Sequence, residues 1–112
     1  MLKKIKSAKE NFYDKLEQKI QIAQMNNKPV KDLVEQQIKL IQEVHDEFIA
    51  SAKIKGYDLN NPNLGEVEVQ HYSAMKQLAQ KIGLPVEKYD NLIKEVRIRI
   101  FGEENYKRFF EE

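Results

Sequence analysis

The sequence predicts an all-α protein: a long antiparallel helical hairpin, then a helix-turn-helix-like corner and a short C-terminal helix. Three observations carry that expectation. Apolar residues recur at three- and four-residue steps over most of the chain. The helix breakers, four glycines and three prolines, punctuate the ends of those periodic segments. Charged residues make up 33% and hydrophobic residues 41%, a balance that suits helices with one wet face. At 112 residues the chain is expected to be a single helical domain, with 2–55 as the hairpin, 56–65 as a loop and 66–112 as a C-terminal helical part.

Nothing breaks a helix over residues 2–27. Ile5, Ala8, Phe12, Leu16, Ile20 and Ala23 form one apolar stripe. Asn26-Asn27-Lys28-Pro29 stops it, because asparagine tolerates left-handed geometry and the residue before proline leaves the helical region. A second helix is expected over 29–55, up to Gly56. Its stripe of Val34, Ile38, Ile41, Phe48 and Ala52 is widened by Val30, Leu33, Leu40, Val44 and Ile49. So broad an apolar surface needs cover on more than one side, which makes this helix central. Two helices of about 26 residues, each about 39 Å long at 1.5 Å per residue, joined by a short connection, pair antiparallel.

Residues 56–65 hold two glycines, a proline and three asparagines and read as the one real loop. Pro62 falls where a calcium loop needs a ligand, which excludes that chemistry. Asn61 is suited to cap a new helix with Pro62 in its first turn. Val69, Tyr72, Met75, Leu78, Ala79 and Ile82 then keep helical spacing. Past a corner at Gly83, Tyr89, Leu92, Ile93, Val96 and Ile100 do the same up to Gly102. Residues 66–69 and 96–100 also alternate polar and apolar side chains and carry opposite charges, as two paired strands would. Each alternation is short and embedded in a longer helical pattern, so helix is the favoured assignment. A last short helix is expected over the tail, with Tyr106, Phe109 and Phe110 folding back onto the bundle. Left in water, the same three aromatics form a patch that invites a partner.

The corner over 75–92 follows a recognisable scheme. Gly83 suits the left-handed residue that ends a helix, Leu84 the apolar residue that folds back, and Pro85 the first turn of the next helix. Ala79 lies four residues before Gly83, and Tyr89 and Leu92 lie six and nine after it. This resembles the helix-turn-helix of DNA-binding repressors. The resemblance covers about a sixth of the chain. It implies a DNA-binding regulator in which Val86, Lys88, Asn91 and Lys94 face the groove, with Lys76, Lys81, Lys88 and Lys94 on phosphates. The helix that would enter the major groove departs from the pattern in opening with Glu87 and Asp90, where a phosphate-lined groove favours cations and amides.

Composition removes several functions. There is no cysteine, so disulfides, thiolate metal sites and cysteine nucleophiles are excluded. No apolar run approaches the roughly 20 residues of a membrane span. The lysine-rich opening lacks the apolar core of a signal peptide, so a cytoplasmic protein is expected. A net charge of +1 does not suggest a nucleic-acid binder, although the first ten residues are basic and the last ten acidic.

Catalytic chemistry has little to stand on. Ser7, Ser51 and Ser73 sit in no glycine-framed turn, and there is no glycine-rich phosphate loop, since all four glycines are expected at helix ends. Arg97 and Arg99 lie two apart on a helix and point away from each other. Glu68 and His71 match the Glu-x-x-His unit of carboxylate-bridged di-metal sites, but a single chain lacks the second copy such a site needs. His71 is expected as a half-exposed helical histidine and His45 as a satisfied one beside the apolar stripe. No enzyme activity, cofactor or metal is therefore expected. The favoured function is a protein–protein interaction module with a protein partner, homodimeric, using Tyr106, Phe109 and Phe110. Immunity proteins, anti-activators and adaptors of mobile elements are similar at the level of fold class alone.

Overall fold

The computed structural model describes residues 7–111. Residues 1–6, with Ile5 and the basic opening, lie outside the described residues. The chain is helical, with no strand among the described residues: α1 (Ala8–Met25), α2 (Lys31–Ile54), α3 (Pro62–Lys81), α4 (Glu87–Phe101) and a short α5 (Glu103–Tyr106) that runs into a π-helical turn at Lys107–Glu111. Residues 66–69 and 96–100 lie inside α3 and α4. The opposite charges that suggested strand pairing do meet, as Glu68 and Arg99 across two helices.

The ends of the helices follow from local chemistry. Ser7 is extended and its hydroxyl accepts from the Glu10 N–H at 3.1 Å, so α1 opens at Ala8 instead of running unbroken from residue 2. Asn61 accepts from the Asn63 N–H at 2.8 Å and caps α3, whose first residue is Pro62. The helix thus takes in residues 62–65, and the loop before it is shorter than the 56–65 expected. Gly65 consequently lies buried inside α3, not at a helix end. A Cβ there would come within 2.8 Å of Ile100 Cγ1, so the missing side chain is what lets α4 approach α3.

All three corners between the long helices are built alike. Each ends on a residue with positive φ, namely Asn27 (54°), Gly56 (72°) and Gly83 (75°). The residue after it donates its N–H back to an alanine carbonyl: Lys28 to Ala23 at 2.8 Å, Tyr57 to Ala52 at 2.9 Å, and Leu84 to Ala79 at 2.9 Å. The first and third corners continue identically through proline and valine. Val30 (φ −117°, ψ 0°) and Val86 (φ −113°, ψ −3°) cap α2 and α4 without a side-chain hydrogen bond. Pro29 and Pro85 therefore precede their helices by two residues instead of occupying the first turn. The alanine-to-glycine spacing that resembles a helix-turn-helix marks corner geometry throughout this chain, and 75–92 is one instance of it.

Each long helix packs only against its neighbours in sequence: α1 on α2, α2 on α3 and α3 on α4. Lys9 meets Glu47 while Glu17 meets Gln37, so α1 and α2 run antiparallel. In the same sense Glu68 meets Arg99 while Lys76 meets Asp90, so α3 and α4 are antiparallel too. The result is an open array of 50 × 39 × 25 Å in which α2 touches both α1 and α3. Leu16, Ile20 and Val34 are buried in the α1/α2 half. Met75, Ala79 and Tyr89 form the core of the other half, with Ile38 and Ile41 of α2 and Leu84, Val86 and Leu92 packed around them. Phe12, in contrast, is 45% exposed and leaves the stripe of α1 incompletely covered.

Candidate functional site

The C-terminal end gathers four aromatic rings. Gly102, with φ of 84°, breaks the helix after Phe101 and turns the chain back. Tyr106 then stacks on Phe110 at 5.4 Å between centroids, and Phe101 meets Phe109 at 6.4 Å and Phe110 at 5.9 Å. The Arg97 guanidinium lies 4.5 Å from the Phe110 ring centre. Phe110 also lines a cavity of about 170 Å³ with Gly65, Val69, Val96 and Ile100. Folding back is nevertheless partial. Tyr106 is half-buried, but Phe109 is 61% exposed, Phe110 43% and Phe101 41%. The aromatic end packs against α4, borders α3 at Gly65 and Val69, and remains an apolar surface in water. Phe101 and Arg97 belong to it although their sequence context did not single them out.

The residues assigned to a nucleic-acid surface do not share one free face. Val86 packs against the Met75–Ala79–Tyr89 core. Lys76 pairs with Asp90 at 2.7 Å, and Lys94 pairs with Glu111 at 3.2 Å while lying 5.6 Å from the Tyr106 ring centre. Lys88 lies over its neighbour Tyr89, and Lys81 and Asn91 are exposed. A polar cleft of about 470 Å³ runs between α3, α4 and Tyr106, with Lys76, Lys94, Arg97 and Asp90 on its walls.

A third constellation lies at the centre of the array, with His45 and Glu68 as its buried members. His45 of α2 is 5% exposed, and its Nδ1 lies 3.0 Å from Nδ1 of His71 on α3. The Tyr72 hydroxyl reaches the other ring nitrogen, Nε2 of His45, at 3.1 Å. Phe48 packs edge-on against His71. Glu68, 4% exposed, is bonded to Arg99 of α4. Burial holds both imidazoles below their ordinary value, and the charge of His45 lowers His71 further; Glu68 pulls both partly back. Burial also raises the Tyr72 phenol. His45, Glu68, Tyr72 and Arg99 border a cleft of about 500 Å³ with Asp46, Lys53 and Leu59, while His71 borders the groove toward α1. Glu68 is engaged by Arg99 and His71 by His45, so the Glu-x-x-His unit is not turned to a common point. Among the described residues no group of three histidine or carboxylate side chains is placed to hold a metal ion.

Comparison with known proteins adds no second line of evidence: the sequence matches no protein-family model, and no curated protein or solved structure is significantly similar to it. Among the described residues no helix is long and apolar enough to cross a membrane.

Proposed function

We propose that the protein is a small, non-enzymatic protein–protein interaction module of the adaptor, anti-activator or immunity-inhibitor type, working in the cytoplasm and pairing with a second copy of itself. The observation that carries this reading is the open array, in which each helix covers only its chain neighbours. Two apolar surfaces are left for a partner. One is the strip of α2 between α1 and α3, where Leu40, Ile41 and Val44 floor a groove walled by Tyr13 and Ala74. The other is the aromatic end with Tyr106, Phe109 and Phe110. Aromatic residues are enriched in the buried centres of interfaces, and the tail presents them on a short terminal element. The non-enzymatic reading is supported by the engagement of the two histidines and of Glu68, His45 with His71 and Tyr72 and Glu68 with Arg99.

The DNA-binding alternative has weaker support. Its lysines at 76 and 94 are paired with carboxylates, and Glu87 and Asp90 open the helix that would enter the groove. The interaction reading is tested by sedimentation equilibrium of the Phe109→Glu/Phe110→Glu double variant beside the unaltered protein. A dimer that becomes monomeric in the variant supports the assignment to the tail. A variant that associates as tightly as the parent removes Phe109 and Phe110 from the interface.

A further inference from the structure

The two halves of the array are joined chiefly by α2 against α3, and the polar contacts at the centre of that joint run from His45 to His71 and to Tyr72. Two facing imidazole nitrogens 3.0 Å apart have room for one hydrogen between them. With both rings neutral, or with one charged, one nitrogen donates and the other accepts. With both charged, two N–H groups point at each other, and two like charges meet beside a His45 ring that is 5% exposed.

We propose that His45 and His71 form a proton-operated latch between the α1/α2 and α3/α4 hairpins, closed while a single hydrogen lies between their facing nitrogens and released when both rings are charged.

The surroundings favour a latch over a static contact. On α2 the next residue is Asp46. From α3 come Glu68 and the Tyr72 hydroxyl, and from α4 comes Arg99, which is bonded to Glu68 and so takes up the carboxylate best placed to stabilise a second positive charge. From α1, Lys9, Glu10 and Tyr13 share the groove that His71 borders, and Lys9 is itself bonded to Glu47. The Tyr72 hydroxyl can turn to donate to His45 or accept from it, so it opposes neither state. Both rings are held below their ordinary value by burial. The folded joint therefore sheds protons that an open one retains, and it is intact above about pH 6.5 and weakens as the pH falls below that value. Release uncovers the apolar face of α2 that Met75 and Ala79 otherwise cover, which ties the latch to the surface available for partners.

The test uses the absence of cysteine from the chain. Lys19→Cys on α1 and Asn91→Cys on α4 are spin-labelled, the protein is diluted into unlabelled material, and label separations are measured at about pH 7.5 and about pH 5, where most exposed carboxylates remain ionised. The expected result is a shift to longer separations at the lower pH with helicity by circular dichroism unchanged. In the His71→Gln background the neutral-pH separations persist at both values. His45→Gln provides the same control if His71→Gln does not fold. Unchanged separations in the parent, an equal shift in both histidine variants, or a shift that tracks loss of helicity would each overturn the latch.

Discussion

At the residue scale, the polar groups buried in the array are the least expected and the most consequential. Glu68 and Arg99 form an asymmetric pair, with side chains 6% and 37% exposed. Removing the arginine strands a carboxylate away from water, whereas removing the carboxylate leaves an arginine that can still reach solvent. Arg99→Met should therefore cost about 3 kcal/mol in urea unfolding and Glu68→Met roughly 1 kcal/mol. Equal costs would mean that the pair is as solvated as an ordinary surface bridge. The position of His45 was legible in one respect. The stripe of α2 steps from Val34 through Ile38 and Ile41, then jumps seven residues to Phe48, and His45 fills the vacant step. That His71 would meet it could not be read, because the facing register of two helices depends on packing and not on either pattern alone. Gln37 illustrates the same limit. It is fully buried and donates to Glu17 at 2.7 Å, in a place where helical periodicity by itself admits either a polar or an apolar residue.

At the element scale, the three corners show how much local sequence decides. Alanine, a left-handed asparagine or glycine, and a residue that donates back to the alanine carbonyl stop α1, α2 and α3 in turn. The start of α1 was also written in the chain, as the Ser7-x-x-Glu10 pattern of a capping box, although an unbroken apolar stripe drew the expected start back to residue 2. The start of α3 was likewise signalled by Asn61 and Pro62. Gly65 was not legible, since only the approach of Ile100 from α4 gives it a role. Alanine there gains helix propensity of up to about 1 kcal/mol but collides with Ile100, and overpacking of this kind costs about 1–3 kcal/mol. Gly65→Ala should lower stability by about 1 kcal/mol, and Ile100→Ala in the same chain should make the glycine replacement neutral or favourable. Additive losses in that double-mutant cycle would show that the two positions do not touch.

At the scale of the whole molecule, the all-α class, the antiparallel pairing of the first two helices and the central place of α2 were all present in the periodicity and the length of the connections. The openness of the array was not. Apolar stripes specify that a face will be covered but not by which element, and here α3 covers one side of α2 while the groove over Leu40 and Val44 stays open. The radius of gyration is 16.6 Å, against about 13 Å for a compact domain of this length. An extended chain with uncovered apolar surface is best completed by another chain, which links the fold to the proposed function. The aromatic residues at 106, 109 and 110 were visible in the sequence as a patch, while their support by Phe101 and Arg97 depended on the reversal at Gly102.

The most direct measurement is the solution mass of the unaltered protein by light scattering, with and without a short random DNA duplex. The interaction reading predicts twice the 13.2 kDa chain mass, unchanged by duplex. A 13.2 kDa particle would contradict self-association, and a mass that rises with duplex at low salt and falls back as salt is added would transfer the function to the corner at 75–92.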